Sequence, residues 1–96
     1  MKVIITEEAE QSLDEIIEYL RIHWNQNVID KFISNIQLTI QRIQKFPKSF
    51  PVSPFIDAQR ALVSKQIIML FKIEGNVLII YLFWDARQNP QKLNIK

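Results

Sequence analysis

The sequence predicts an α+β domain, ordered β-α-α-β-β-β, in which an antiparallel sheet carries a two-helix hairpin on one face. Three observations predict it. A short β-branched run opens the chain, two amphipathic segments of helical period follow, and the last third holds apolar runs separated by turn residues. With 96 residues, of which 48% are hydrophobic, the chain has room for one domain, residues 1–96, with a small core.

The first strand and the first helix are predicted to meet at Thr6. The run "KVIIT" is short and β-branched, which is typical of a strand. Thr6 can cap the helix that follows, and Glu7 and Glu8 stand in its first turn, where the helix dipole favours anions. Apolar residues then recur at helical spacing as far as Trp24, so the first helix is predicted over residues 7–24.

A second helix is predicted directly after the first. Either Asn25 or Asn27 can interrupt the chain and cap a new helix, which should end before Pro47. The predicted range is 27–45, and a link this short makes the two helices an antiparallel hairpin. We predict that the hairpin packs on the sheet through Leu13, Ile16, Leu20, Ile29, Phe32, Ile36 and Ile40.

A proline-rich connector follows the helices. The segment "FPKSFPVSPFIDAQ" contains three of the four prolines of the chain, spaced too closely for a regular element. We expect an irregular connector that is anchored by the aromatic residues Phe46, Phe50 and Phe55.

Three more strands are predicted at "RALVS", "QIIMLFKI" and "VLIIYLFW", and a turn at residues 74–76 joins the last two into a hairpin. These last two strands are apolar at consecutive positions, which is typical of strands covered on both faces. The helix hairpin can cover one face only. The connector, the "QKLNIK" tail, a second copy of the chain or a partner chain would cover the other, and these alternatives stay open.

Composition excludes several classes of protein. The chain has no cysteine, so it can form neither disulfides nor Cys-ligated metal sites, and its N-terminus lacks the features of a signal peptide. We therefore expect a cytoplasmic protein. Polar residues divide the longest apolar stretch into pieces too short to cross a membrane as helices. The sole glycine, Gly75, lies in a predicted turn, so no phosphate-binding glycine loop and no cofactor are expected.

His23 is the only histidine, and no nucleophile-elbow pattern accompanies any serine, so a Ser-His-Asp triad is not predicted. We expect His23 to end the first helix, where a positive charge suits the dipole. The acids of that helix lack His or Cys co-ligands, which favours a solvated face over a metal site. These acids are Glu7, Glu8, Glu10, Asp14, Glu15 and Glu18.

Cations and amides gather in the second half of the chain. The net charge is +2, but residues 1–46 carry five basic against seven acidic side chains, and residues 47–96 carry seven against three. The fold could bring several of these groups toward one end of the sheet, where they would bind phosphates or a carboxylate-rich peptide. The candidates are Arg60, Lys65, Arg87, Gln88, Asn89 and Lys92. A local salt bridge between Asp85 and Arg87 is the competing interpretation.

The order of these segments resembles a known family. The segments "AEQSLDEIIEYL", "IQKFP", "RALV", "MLFKI", "VLIIYLF" and "DARQNP" follow one another as in the RelE/ParE superfamily of type II toxin–antitoxin toxins. The resemblance covers nearly the whole chain, and its sharpest parts are Arg60 with Leu62 and Arg87 just past the last strand. It implies a toxin that a cognate antitoxin neutralises by wrapping its surface.

The resemblance leaves the target open between two mechanisms. RelE-like members cut mRNA at the ribosomal A site without a metal, whereas ParE-like members bind and block DNA gyrase and need no catalytic set. Where RelE-like enzymes have an arginine on the third strand this chain has Ile68, and no tyrosine follows Arg87. We therefore predict a ParE-like gyrase inhibitor. The alternatives are an mRNA interferase and an inactive, antitoxin-binding relative, and a homodimer is a further partner to test.

Overall fold

Two helices and four strands follow one another in the predicted order in the computed structural model, which describes residues 1–54 and 56–86. The strands are β1 (Lys2–Ile5), β2 (Gln59–Leu62), β3 (Ile67–Glu74) and β4 (Val77–Asp85). The helices are α1 (Glu7–His23) and α2 (Gln26–Lys45), and both lie within one or two residues of the predicted ranges.

The strands form one sheet in the order β1-β4-β3-β2. The pairs β2–β3 and β3–β4 are antiparallel, as predicted, but β1 runs parallel to β4, with Lys2 opposite Val77 and Ile5 opposite Ile80. The sheet is therefore mixed, and the prediction of a wholly antiparallel sheet is wrong at this one strand. The reason is the long connection between β1 and β4, because a crossover through helices allows a parallel neighbour, which a tight turn does not.

Side-chain caps begin both helices. The Thr6 hydroxyl oxygen accepts a hydrogen bond from the amide of Ala9 at 3.1 Å, as the sequence predicts. At α2 the capping residue is Asn25 rather than Asn27, since its side-chain oxygen accepts from the amide of Val28 at 3.1 Å. The helices are thus positioned by polar residues that stand immediately before them.

The core lies between the helices and the sheet face turned toward them, which we call the helix face. Met69, Phe71, Leu78 and Ile80 contribute side chains from this face, and each is fully buried. Six of the seven predicted helix contacts belong to this core or pack against it, whereas Ile29 is buried but lies outside the cluster. Ile29, Phe32 and Ile36 are buried in α2, while Leu13, Ile16, Leu20 and Ile40 pack half-buried against the cluster. Only Ala9 is buried in α1, so α1 lies at the margin of this core.

The connector is more ordered than predicted. Pro47–Ser49 forms a single 3-10 turn, because proline at its first position already has the φ angle that a helical turn needs. Phe50 packs edge-on against the buried ring of Phe71, with 5.8 Å between ring centroids, and is an anchor as expected. Phe46 is not an anchor, since it is 58% exposed and its ring lies beside the ammonium of Lys45. The third predicted anchor, Phe55, lies outside the described residues.

The apolar stretch of the second half forms the predicted β3–β4 hairpin. Gly75 occupies its turn with φ of 60°, a left-handed conformation that glycine adopts without strain. No helix within residues 1–54 and 56–86 combines the length and the apolar character needed to cross a membrane.

The packing of α2 can be tested by placing a charge in the core. Ile36→Asp should lower the free energy of unfolding by at least about 3 kcal/mol, because it buries a carboxylate without a partner. Leu38→Asp, at a position that is 52% exposed on the same helix, should change it by less than about 0.5 kcal/mol. Urea denaturation followed by circular dichroism measures both, and equal effects would contradict the packing described.

Candidate functional site

The sheet face turned away from the helices carries both charged and apolar side chains, and we call it the open face. Residues directly opposite each other on paired strands share a face, so the register defines its members. Arg60 is opposite Leu70 and Lys72 is opposite Ile79, whereas their strand neighbours point into the core. The members are Lys2, Ile4, Arg60, Leu62, Ile68, Leu70, Lys72, Glu74, Val77, Ile79, Leu82 and Trp84.

The open face is only partly covered. Leu70, at its centre, is 2% exposed, while Ile68, Leu82 and Trp84 around it are half-buried. Leu62 is 59% exposed at the margin. The sequence predicted that this face needs a cover. Residues 1–54 and 56–86 supply only part of it, and an apolar surface remains accessible to a partner.

A β-bulge shapes the middle of the open face. Leu70 is opposite Leu82, but the next residue of β3, Phe71, is opposite Ile80, so Tyr81 is an extra residue in β4. Tyr81 lies beside Lys72, whose ammonium nitrogen is 5.9 Å from the centroid of the tyrosine ring. A cation and a phenol are thereby held next to each other on this face.

Lys72 also forms an ion pair with Asp57, a residue of the connector. Its ammonium donates a hydrogen bond to Asp57 Oδ2 at 3.0 Å. This hydrogen bond is the main reason why the pKa of Lys72 is raised above its ordinary value of 10.5, and the opposite charge of Asp57 adds to it. Lys72 is consequently a fixed positive charge at physiological pH.

Arg60 lies on the same face as Lys72 and is its diagonal neighbour, since Arg60 is opposite Leu70, two residues before Lys72 in β3. Its backbone amide donates to the carbonyl of Pro51 at 2.9 Å, which ties β2 to the connector, while its side chain is exposed. Within residues 1–54 and 56–86, the guanidinium of Arg60 forms no ion pair. It can therefore bind a carboxylate or a phosphate without first breaking an internal contact.

Lys65 lies in the β2–β3 loop, at the end of the sheet where β4 finishes. The carbonyl of Gln66 in this loop accepts a hydrogen bond from the amide of Ala86 at 2.6 Å. The structure thus brings the loop of Lys65 next to the exit of β4. Arg60 does not join them at this end, because it lies inside the strand on the open face.

The remaining candidates lie outside the described residues. They are Arg87, Gln88, Asn89 and Lys92. Asp85, the proposed salt-bridge partner of Arg87, is the half-buried last residue of β4 and is opposite Ile67.

His23 ends α1, as the sequence predicts, and the acids of α1 are exposed. His23 is exposed in the last turn of α1, and its ring lies 4.4 Å from the ring of Tyr19. Among residues 1–54 and 56–86, no three acidic or histidine side chains come together in a way that could hold a metal ion.

Comparison with known proteins identifies the family. The family model described as "ParE toxin of type II toxin-antitoxin system, parDE" matches residues 3–90. The chain belongs to the ParE toxin family. A solved structure titled "Chromosomal ParDE TA system from P. aeruginosa" has the same fold, with a TM-score of 0.72 and 15% sequence identity over 90% of this chain and 96% of the other. A search of curated protein sequences gave no match.

The charged pair of this ParE-family chain was not found by sequence reasoning. Lys72 interrupts the apolar run "MLFKI", and a lysine inside such a strand is a signal of a face that meets solvent or a partner. The residues around Tyr81 did not indicate that it lies beside Lys72, because its position depends on a bulge formed with another strand.

The contact between Lys72 and Asp57 can be tested by titration. Asp57→Asn should lower the pKa of Lys72 toward 10.5, because the charged acceptor of its hydrogen bond is lost. Since the pKa of Lys72 is raised in the folded ParE-family chain, its stabilising contribution is present below about pH 10.5 and is lost as the pH rises through the folded value. NMR of the lysine side chains measures the shift.

A matched control for this titration is Glu74→Gln. Glu74 acts on Lys72 through its charge alone and is the smallest cause of the raised pKa. Its replacement should lower the pKa of Lys72 less than Asp57→Asn does. An unchanged pKa in Asp57→Asn would show that the hydrogen bond does not persist in solution.

Proposed function

We propose that this chain is a cytoplasmic toxin that inhibits growth by binding DNA gyrase, and that a cognate antitoxin neutralises it. The observation that carries the proposal is the match of the ParE toxin family model to residues 3–90, which include both helices, the last three strands and all of β1 except Lys2. The arrangement of side chains on the open face supplies the physical support.

The open face suits an antitoxin segment that is both apolar and acidic. Ile68, Leu82 and Trp84 offer half-buried apolar surface, and Arg60 and Lys72 add two cations beside it. An amphipathic segment would bury its apolar side chains against the first group and place its carboxylates near the second. Such a partner would complete the cover that residues 1–54 and 56–86 supply only in part.

Inhibition by binding fits the open face better than RNA cleavage does. Cleavage without a metal needs a base for the 2′-hydroxyl, a proton donor for the leaving oxygen and cations for the phosphorane. Ile68, an apolar residue, stands where the resembling ribonucleases have an arginine, and it lies between Leu62 and Trp84 across the sheet. Binding to a protein target needs surface and charge only, which the open face and the cations around it provide.

One observation favours the second candidate, an mRNA interferase. Tyr81, Lys72 and Arg60 lie on one face, so a phenol that could move a proton stands near two cations that could stabilise a phosphorane. The experiment below is therefore arranged to separate the two targets.

The first test compares three arginine substitutions. Arg60→Ala should weaken gyrase inhibition by roughly tenfold to a hundredfold, since a hydrogen bond to a charged group contributes about 1.5–3 kcal/mol. Arg87→Ala should abolish growth inhibition by removing the cation that follows β4. Arg42→Ala, an exposed arginine on α2, is the matched control and should leave inhibition unchanged. Growth after induced expression and DNA supercoiling by purified gyrase are the measurements.

The same variants distinguish the mechanisms. Loss of supercoiling with intact mRNA supports the gyrase proposal. Ribosome-dependent mRNA cleavage that is lost in Arg60→Ala or Arg87→Ala would replace it with the interferase. If both variants remain fully toxic while their folding is unchanged, the assignment of these cations fails under either mechanism.

A second test uses the two tryptophans as reporters. Trp84 lies half-buried on the open face, and Trp24 is 62% exposed after α1. In Trp24→Phe, binding of the product of the adjoining reading frame should shift the fluorescence of Trp84 to shorter wavelength, because the partner excludes water from the indole. In Trp84→Phe, the emission of Trp24 should stay unchanged. The reverse pattern would move the antitoxin site away from the open face.

A further inference from the structure

The outer edge of β1 has no partner among residues 1–54 and 56–86. β1 is the first strand in the sheet order, and only β4 pairs with it. Val3, Ile4 and Ile5 are 36%, 40% and 40% exposed, so neither helix covers this edge. An exposed apolar edge strand is a template for another strand.

The backbone groups of this edge can be assigned from the pairing with β4. The amide of Lys2 donates to Asn76 and that of Thr6 donates to Ile80, at 3.0 and 3.1 Å. Because successive residues of a strand direct their backbone groups to opposite sides, the N–H and C=O groups of Val3 and Ile5 point outward. Four hydrogen-bonding groups therefore face away from the sheet.

The opposite edge of the sheet is blocked. At β2, the connector bonds to the strand through Arg60 N to Pro51 O at 2.9 Å and Ser53 N to Ala58 O at 2.7 Å, and Val52 bridges Gln59. β1 has no such cover in the described part of the chain, and it contains no proline or bulge that would prevent pairing. The two edges thus differ in what they can accept.

We propose that β1 is a self-association surface, on which the β1 strand of a second copy pairs antiparallel about a two-fold axis at Ile4. In this register Val3 is opposite Ile5 of the second copy, and the outward groups of both residues form four hydrogen bonds. The two Ile4 side chains meet at the axis on the open face. The four-stranded sheets of the two copies then join into one.

Charge and the apolar side chains of the open face both favour a second copy of the chain as the partner that pairs with β1. Antiparallel pairing places Lys2 of one copy beside Thr6 of the other, next to the acids Glu7 and Glu8 that begin α1. The only charged residue of β1 thus meets charges of opposite sign, twice in each dimer. Ile4 is also opposite Ile79 within its own copy, so the apolar row of the open face continues across the axis.

The surface is small, which sets the strength of the association. A four-residue strand on each side buries an area below the about 1,200 Å² of stable, specific interfaces. The dimer is therefore transient, and it is detected by trapping or by work at high protein concentration.

The experiment traps the two-fold axis with a disulfide. The chain has no cysteine, so Ile4→Cys introduces a single thiol. Residues opposite each other in a pair without direct hydrogen bonds have Cα atoms about 4.5 Å apart, within the about 4.4–6.8 Å that a disulfide spans. Diamide, which accepts the two electrons and two protons, should convert most Ile4→Cys chains to dimers. Leu62→Cys, more exposed at 59% but on the opposite edge, should remain mostly monomeric.

A charge exchange tests the register without cysteine. Lys2→Glu should raise the dimer dissociation constant in analytical ultracentrifugation by roughly twofold to thirtyfold, because two exposed ion pairs are lost. Lys2→Glu combined with Glu7→Lys should restore it. A monomeric wild-type chain at high concentration, or cross-linking that is no faster in Ile4→Cys than in Leu62→Cys, would overturn the proposal. A dimer indifferent to the charge exchange would overturn this register.

Discussion

The fold depends on how α1 satisfies the part of β4 that β1 is too short to reach. β1 pairs with β4 only as far as Ile80, so the next backbone groups of β4 would lack partners. Thr6 donates its hydroxyl proton to the carbonyl of Tyr81 at 3.1 Å, and Ser12 Oγ accepts from the amide of Phe83 at 3.0 Å. Two side chains of the helix therefore replace a strand, and they fix α1 against the edge of β4.

The contact between α1 and β4 explains why one part of the molecule is tightly bonded while the outer edge of β1 and the open face are not. Thr6 caps α1 and bonds to β4 at the same time, so the end of β1, the start of α1 and the middle of β4 form one rigid unit. α2 then completes the core through Ile36 and Ile43. The outer edge of β1 and the open face stay outside this unit, and both are left with accessible apolar surface.

The sequence predicted the features whose causes are local. Thr6 and Asn25 cap helices by bonding to amides three residues away, and Gly75 permits a turn by its own φ angle. The parallel position of β1 and the bulge at Tyr81 were not predictable in this way, because both arise from pairing between distant segments. The residues of a segment indicate that it forms a strand, but they do not determine which other strand it pairs with.

For the candidate site as well, individual residues could be proposed from the sequence, but their contacts across the sheet could not. Arg60 and Lys65 were found from residue type and from resemblance, and the loop of Lys65 does lie beside the exit of β4. The pairing of Lys72 with Asp57 was missed, since it links the connector to the middle of β3 across fifteen residues. Side chains that act together on a sheet face are set by register, which a single sequence does not reveal.

The pairing of β1 with β4 also has a consequence for the time course of synthesis. Thr6 and Tyr81, which bond to each other, are 75 residues apart, so the first strand leaves the ribosome long before its partner exists. At about 5–20 residues per second, that interval is roughly 4–15 s. The two helices rest on contacts between near neighbours and can form before β4 is synthesised. Native closure therefore waits for the last strand, and a nascent chain cut short before β4 cannot acquire the toxin fold.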